Sequence, residues 1–237
     1  LNILKTQLIN RLTYTDVGLF GILGSPARIN QLRLQNIQVI SSSSSGGQAG
    51  YARNGTTIEN SYVTGSLLTT GQAPAPYNGN DLTGGLVGYA GGTIKNSFAI
   101  VDVGGRQEVG GLAGRLGNNG VIENSYAAGR VNGHDDVGGL VGFNSGGSIV
   151  NAYAAGSVKG NVRTGGIDGR KSGSSTTTNS YWNQDTVGQT SSLSGMGISS
   201  EDMKKALPFD WDPDVWGIAD GLTYPYLKTF GMGIGID

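Results

Sequence analysis

The chain contains no cysteine. That removes disulfides, thiolate zinc sites and cysteine nucleophiles together. It is in keeping with export, because large exported bacterial repeats dispense with cysteine. Charge is scarce too: 14% of residues are Asp, Glu, Lys or Arg, against the usual quarter or so. The net charge is −1, so nothing draws the chain to nucleic acid or an acidic membrane by electrostatics. No apolar run reaches the roughly 18 residues that a membrane-spanning helix needs. The chain starts at Leu1 without a signal-peptide pattern, and reads as a processed or excised fragment whose targeting segment lies elsewhere.

Glycine is abundant. There are 43 in 237 residues, well above the usual share of about 7%. They do not fall at every third position, which excludes collagen. They mark a repeat instead. Gly84-Gly85-Leu86-Val87-Gly88 leads to Ile94-Lys95-Asn96-Ser97-Phe98, and Gly110-Gly111-Leu112-Ala113-Gly114 to Ile122-Glu123-Asn124-Ser125-Tyr126. Gly138-Gly139-Leu140-Val141-Gly142 and Gly165-Gly166-Ile167-Asp168-Gly169 open two more copies, ending at Tyr153 and Tyr181. Asn96, Asn124, Asn151 and Asn179 step by 28, 27 and 28 residues. A looser copy runs from Gly46 to Tyr62, separated from the next by an insertion over Leu68 to Thr83, and an irregular first copy begins at Val17. Atypical terminal repeats and loop insertions are the habit of solenoids.

Within one copy the apolar positions show no 3.6-residue period, so a helix is a poor fit. Turn residues such as Gly91-Gly92 and Asn118-Asn119-Gly120 separate short stretches, of which Ile122 to Tyr126 alternates like a strand. About three short strands and three turns per copy make one coil of a single-stranded parallel β-helix, an all-β solenoid stacking at roughly 4.8 Å per coil. A β-propeller needs about 40 residues per blade, too many for this period. Stacking superposes equivalent residues. Asn60, Asn96, Asn124, Asn151 and Asn179 are expected to form an interior amide ladder, and Tyr62, Phe98, Tyr126, Tyr153 and Tyr181 an aromatic file. Both are read as structural rather than ligand-binding.

The solenoid is expected over 17–195, in about six coils. Residues 1–16 read as a lead-in coil or the end of an upstream domain, and 196–237 as a C-terminal cap. In that cap Ser199-Ser200-Glu201-Asp202 has the pattern of a capping box, and a helix from Ser200 to Leu207 would stop at Pro208. The Trp211, Trp216 and Tyr224-Pro225 segment is suited to cover the open solenoid end, since bare strand edges invite fibrous growth. Ser41 to Ser45 reads as a mobile low-complexity loop.

The pattern Gly-Gly-Leu-Val-Gly…Ile-x-Asn-Ser-Tyr-Ala-x-Gly resembles the GLUG repeat of bacterial secreted and surface proteins, including IgA-peptidase-like proteins and filamentous-haemagglutinin-like adhesins. Val17 to Gly21 resembles the opening repeat of such arrays. Asn179 to Asn183, with Asp185, and the Trp211/Trp216 tail resemble their closing segment. Gln48-Ala49 and Asp168 depart from the pattern in the second and last copies. The resemblance implies a surface-exposed β-solenoid, extracellular or on the bacterial cell surface, and carries over no catalytic residue.

The first functional reading is therefore a non-catalytic structural or adhesive module. Its partners would be a host-surface protein or glycan, or further domains of the same polypeptide, and it would carry no cofactor. The alternative is a carbohydrate-binding or carbohydrate-active β-helix. Glycoside hydrolysis needs two carboxylates within about 5 to 9.5 Å, and the adjacent acids in the repeats are Asp135 and Asp136, beside His134. Coiling sets Arg106 to Glu108 and Asn161 to Arg163 next to them. These loops build no obvious catalytic cluster and favour rim ion pairs, so the three residues read as a solvated turn. Glu201, Asp202, Asp210, Asp212, Asp214 and Asp220 offer oxygen ligands for calcium but match no EF-hand or RTX spacing. The glycine runs lack a Walker lysine. An ice-binding surface ranks third, because Thr56, Thr57, Thr93 and Thr176 to Thr178 form no regular file.

Overall fold

The structure, a computed structural model, describes residues 2–5, 9–12, 16–71 and 81–232. Much of the lead-in segment and of the insertion before Thr83 lies outside the described residues. Elsewhere the chain is an all-β parallel solenoid of about six coils. Gly46, Gly84, Gly110, Gly138 and Gly165 lie in one pairing register, as expected from the repeat.

Each coil contributes to four parallel sheets, where three strands per copy were expected. The first sheet carries Gln107–Gly110 and its equivalents, the second Ala113–Leu116, the third Val121–Glu123 and the fourth Tyr126–Ala128 with Val131–Asn132. The extra strand comes from splitting the glycine segment. The chain bends at Gly111-Leu112, and the residues before and after the bend pair separately. The bend needs glycine because the next coil's backbone stacks against it, with the Gly139 carbonyl oxygen in the way of a Cβ on Gly111, and because the fourth sheet crosses close beneath it. A Cβ on Gly111 would lie 2.8 Å from the Ala127 Cβ, and one on Gly139 2.8 Å from the Ala154 Cβ.

The core is a set of stacked columns. Leu86, Leu112, Leu140 and Ile167 form one; Ile58, Ile94, Ile122 and Ile149 form another; all are at most 1% exposed. Each coil alone would leave these columns wet, so stacking supplies the burial. Gln48, the departure in the second copy, is fully buried in this interior and donates to the Leu32 carbonyl at 3.1 Å.

The Asn residues occupy a corner, not the interior. Asn60, Asn96, Asn124, Asn151 and Asn179 all have left-handed backbone, with φ of 45° to 50°. Asn tolerates this region far better than most residues. Only Asn124, at 5% exposure, is buried. Asn60 donates to Asn30 at 3.1 Å, Asn96 to Asn60 at 3.4 Å and Asn151 to Asn124 at 3.2 Å. Asn124 turns its amide to Glu123 instead, which interrupts the amide row. The adjacent serine carries the longer hydrogen-bonded column: Ser61 accepts from Leu32 N–H, Ser97 from Ser61 N–H and Ser125 from Ser97 N–H, and after a gap at Ala152, which has no hydroxyl, Ser180 accepts from Ala152 N–H.

The aromatic file stacks with centroids 4.7, 4.7 and 4.8 Å apart from Tyr62 through Phe98 and Tyr126 to Tyr153. It faces outward and is buried by the C-terminal tail. Trp211, Trp216, Tyr224 and Leu227 pack over it, and Phe230 reaches back to Tyr62 and Phe98. The tail is thus a lateral strap and not the cover of the solenoid end. The end is closed by the preceding segment. Ser192 Oγ accepts from Ile167 N–H at 3.0 Å, Ser194 bonds Asp168, and Gly195 lies against Ile167. Trp182 replaces the small residue of earlier coils beneath Gly166.

The Ser199 half of the capping box forms, while the Asp202 carboxylate accepts from the Ser199 hydroxyl and not from its backbone N–H. Ser199 accepts from Asp202 N–H at 3.0 Å, and the helix spans Ser200–Lys205, two residues shorter than expected. Ser41, Ser43, Ser44 and Ser45 are buried rather than set in an exposed loop: Ser41 Oγ donates to the Ser43 carbonyl at 2.8 Å, and Ser45 bonds Thr69.

Candidate functional site

On the second sheet the third residue of each strand points away from the core. Register aligns Ile22, Tyr51, Tyr89, Arg115, Phe143 and Arg170 in one outward file. Tyr51 and Tyr89 stack at 4.2 Å with rings 6° from parallel. Phe143 lies between two guanidiniums, Arg115 at 5.2 Å and Arg170 at 4.3 Å from its centroid. Such cation–π contacts hold the planar groups in fixed orientations.

Beside this file runs a second corner, where the chain enters the first sheet. Glu108, Asp136 and Arg163 occupy it in successive coils, with φ of 48°, 53° and 48°. Left-handed backbone costs an ordinary side chain about 1–2 kcal/mol, so Glu and Arg are costly choices there. Gly142 permits the corner: a Cβ would sit 2.5 Å from the Val109 nitrogen.

The two files interlock through charge. Arg115 pairs with Glu108, and Arg163 and Arg170 both pair with Asp136, the latter at 3.6 Å. The carboxylates lie beneath and the guanidiniums above. The side chains of Glu108 and Asp136 are 6% and 5% exposed, against 49% for Arg163 and 46% for Arg170. Burial pushes the Glu108 carboxyl up, and the Arg115 hydrogen bond opposes that. The Asp136 contact raises the Arg163 guanidinium further still.

Of the three residues singled out in the turn, the structure brings only Asp136 into this cluster. His134 is exposed and sits 3.4 Å from Asp135, which is half-buried. The three do not converge. Reading Asp136 as solvated is corrected: it is 3% exposed, and its neighbours one coil away do build a cluster with it. Glu108 and Arg163 lie 28 residues before and 27 after it, the same step as the Asn corner, so the repeat itself carries that signal. Among the tail acids, Asp202 and Glu201 pair with Lys205 and Asp212 accepts from Asp214 N–H at 2.8 Å. Among the described residues no three His, Cys, Asp or Glu side chains gather as a metal site.

Asp168 is a further buried acid, fully enclosed in the last coil where Val141 stands in the one before. Burial pushes its carboxyl up to about 6, against the opposing Ser194 hydrogen bond and Lys171. Its second oxygen has no partner.

A family model described as "The GLUG motif" matches residues 105–132 and 133–159. These segments contain Glu108, Arg115, Asp136 and Phe143. The fold resembles the crystal structure of a protein from Bacteroides ovatus titled "a putative immunoglobulin A1 protease", with a TM-score of 0.62 at 22% identity. The match covers 85% of this chain and 69% of that one; at this identity it speaks for the fold alone. No curated protein matches the chain.

Proposed function

We propose that this GLUG-repeat solenoid is a non-catalytic structural module of a secreted or cell-surface bacterial protein, one that presents a rigid lateral face for adhesion. The observation that carries this reading is the state of the stacked acids. A glycosidase needs one carboxyl free to donate a proton and another free to attack or activate water. Glu108 and Asp136 are instead committed to Arg115, Arg163 and Arg170. Buried pairs of this kind are strongly coupled and resist losing one member. They suit a scaffold that fixes side chains in place.

The name of the Bacteroides ovatus protein favours a second reading, a peptidase. One assay separates the two. The purified chain is incubated with polygalacturonate, xylan, mucin glycans and immunoglobulin A1. A structural module releases no reducing ends, unsaturated sugars or heavy-chain fragments. Turnover that Asp136→Asn or Asp135→Asn abolishes would replace the structural reading with an enzymatic one.

A further inference from the structure

We propose that the outer face of the second sheet binds a linear anionic polysaccharide laid along the solenoid axis. This deepens the adhesive reading above and rests on it. The face is built from Tyr51, Tyr89 and Arg170, with Phe143 and Arg115 between them, and is flanked by Arg53 just past the end of its strand and by Arg163 on the adjoining corner.

The argument begins with charge. The chain as a whole is at −1, yet this face shows cations to solvent. Arg53, Arg163 and Arg170 are exposed, while Asp136, which pairs with Arg163 and Arg170, and Glu108, which pairs with Arg115, are buried under the guanidiniums. A ligand approaching from outside meets guanidinium first. Arg163 commits Nε and Arg170 commits Nη1 to Asp136. A guanidinium carries five N–H donors, so each retains donors for a second anion. Their orientation is set in advance by the Asp136 contact and, for Arg170, by the Phe143 ring. Preorganised donors lose less entropy on binding. Planar oxyanions such as carboxylates and sulfates match this fork geometry.

The shape selects a linear ligand. The file is one residue wide per coil, and from Tyr51 to Arg170 it crosses four coil spacings, about 19 Å at the strand separation. Cations stand at both ends: Arg53 lies beside Tyr51 in a shallow hollow with Ser25 and Asn54, and the Arg163 and Arg170 pair lies at the other. Between them the Tyr51 and Tyr89 rings are stacked on each other, so a ligand meets their edges and hydroxyls rather than their faces. Phenol hydroxyls and guanidiniums together suit a polymer rich in hydroxyls and oxyanions.

An acidic polypeptide is disfavoured for a reason in the fold. Extended peptides gain affinity from main-chain hydrogen bonds to a sheet edge, and on this face the sheet's backbone groups are already paired coil to coil. A polysaccharide needs none of them. The corner geometry adds weight: Glu108 and Arg163 hold left-handed backbone that Asn, Asp or Gly would adopt at less cost, so these two charged side chains stand there against a backbone penalty.

The test is affinity electrophoresis and calorimetry of the purified chain against polygalacturonate, dextran sulfate, neutral dextran and poly-glutamate. Binding to polygalacturonate or dextran sulfate, absent with dextran and weakened by salt, is expected; the two anionic arms separate a carboxylate from a sulfate ligand. Arg53→Gln, which breaks no ion pair among the described residues, and Arg163→Gln should each weaken binding about tenfold, the worth of one charged hydrogen bond. Circular dichroism checks that each variant is folded. The proposal is overturned by equal retention on neutral dextran, by tighter binding to poly-glutamate, by no binding to either anionic glycan, or by unchanged affinity in folded Arg53→Gln. Failure here leaves the structural reading standing, because that reading falls only on product formation.

Discussion

At the scale of single residues, two positions show backbone and burial overriding side-chain identity. The corner Asn was chosen by its backbone. Asn151 holds φ of 50° and donates to Asn124 at 3.2 Å. These two roles separate on substitution. Asn151→Gly keeps the left-handed region open and loses only the amide; Asn151→Ala loses both. Urea denaturation should find the Ala variant about 1 kcal/mol less stable than the Gly variant. Equal losses would show that the amide contact, not the backbone, selects Asn. Asp168 is the second case. Its folded carboxyl titrates at about 6, above the roughly 3.9 of an exposed Asp. The folded state therefore holds the proton more tightly. The contribution favours folding at low pH and is lost as pH rises from about 4 through 6, a swing of roughly 2–3 kcal/mol. Asp168→Asn should gain about that much relative to the parent near pH 7.5 and little near pH 4, read as urea midpoints at both. A variant that gains nothing at the higher pH would mean that the acid is solvated.

At the scale of elements, the strap is what departs most from a bare solenoid. It runs from the helix at Ser200–Lys205 back along the aromatic file to Phe230. Trp216 is its anchor: fully buried, 4.3 Å from Trp211, 6.0 Å from Tyr153 and donating to Asn124 at 3.4 Å. Tyr153 returns a hydrogen bond to the Pro225 carbonyl at 2.7 Å, and burial drives its phenol far above the ordinary range. Trp216→Ala should cost about 3–5 kcal/mol and release the strap while the coils remain. Limited proteolysis would then cut within 206–222 and leave a protected solenoid. Unchanged cutting would show that the strap is held elsewhere.

At the scale of the whole molecule, the four sheets do not stop level with one another. The fourth sheet projects one strand beyond its neighbours at both ends. Asn2–Lys5 and Ile9–Leu12 extend it before the first coil, and Met196–Ile198 extends it after the last. The second and third sheets stop at Phe20–Leu23 and Arg28–Asn30 on one side, and at Asp168–Lys171 and Thr176–Thr178 on the other. Perpendicular to the stacking direction, the lateral faces are the extended surfaces that the described coils present.

The parallel solenoid, its coil count and the register of every coil were legible in the sequence, because stacking repeats a residue type at a fixed step and a step survives without coordinates. The capping box at Ser199 and the stacking of Tyr62, Phe98, Tyr126 and Tyr153 follow from the same local reading. What only the tertiary structure decided is which way each column faces. Asn124 reads as interior in a strand-like run, but its left-handed φ sets it on a corner. Trp216 reads as an end cover, but the ring that accepts it lies on a side wall four coils long. Asp136 reads as a turn residue, yet Arg163 and Arg170 approach it only once the coils close and bury it. Facing depends on where the chain bends, and the bends rest on left-handed corners at Asn, Glu108, Asp136 and Arg163 and on glycines packed against neighbouring coils, contacts between residues that no stretch of sequence places together.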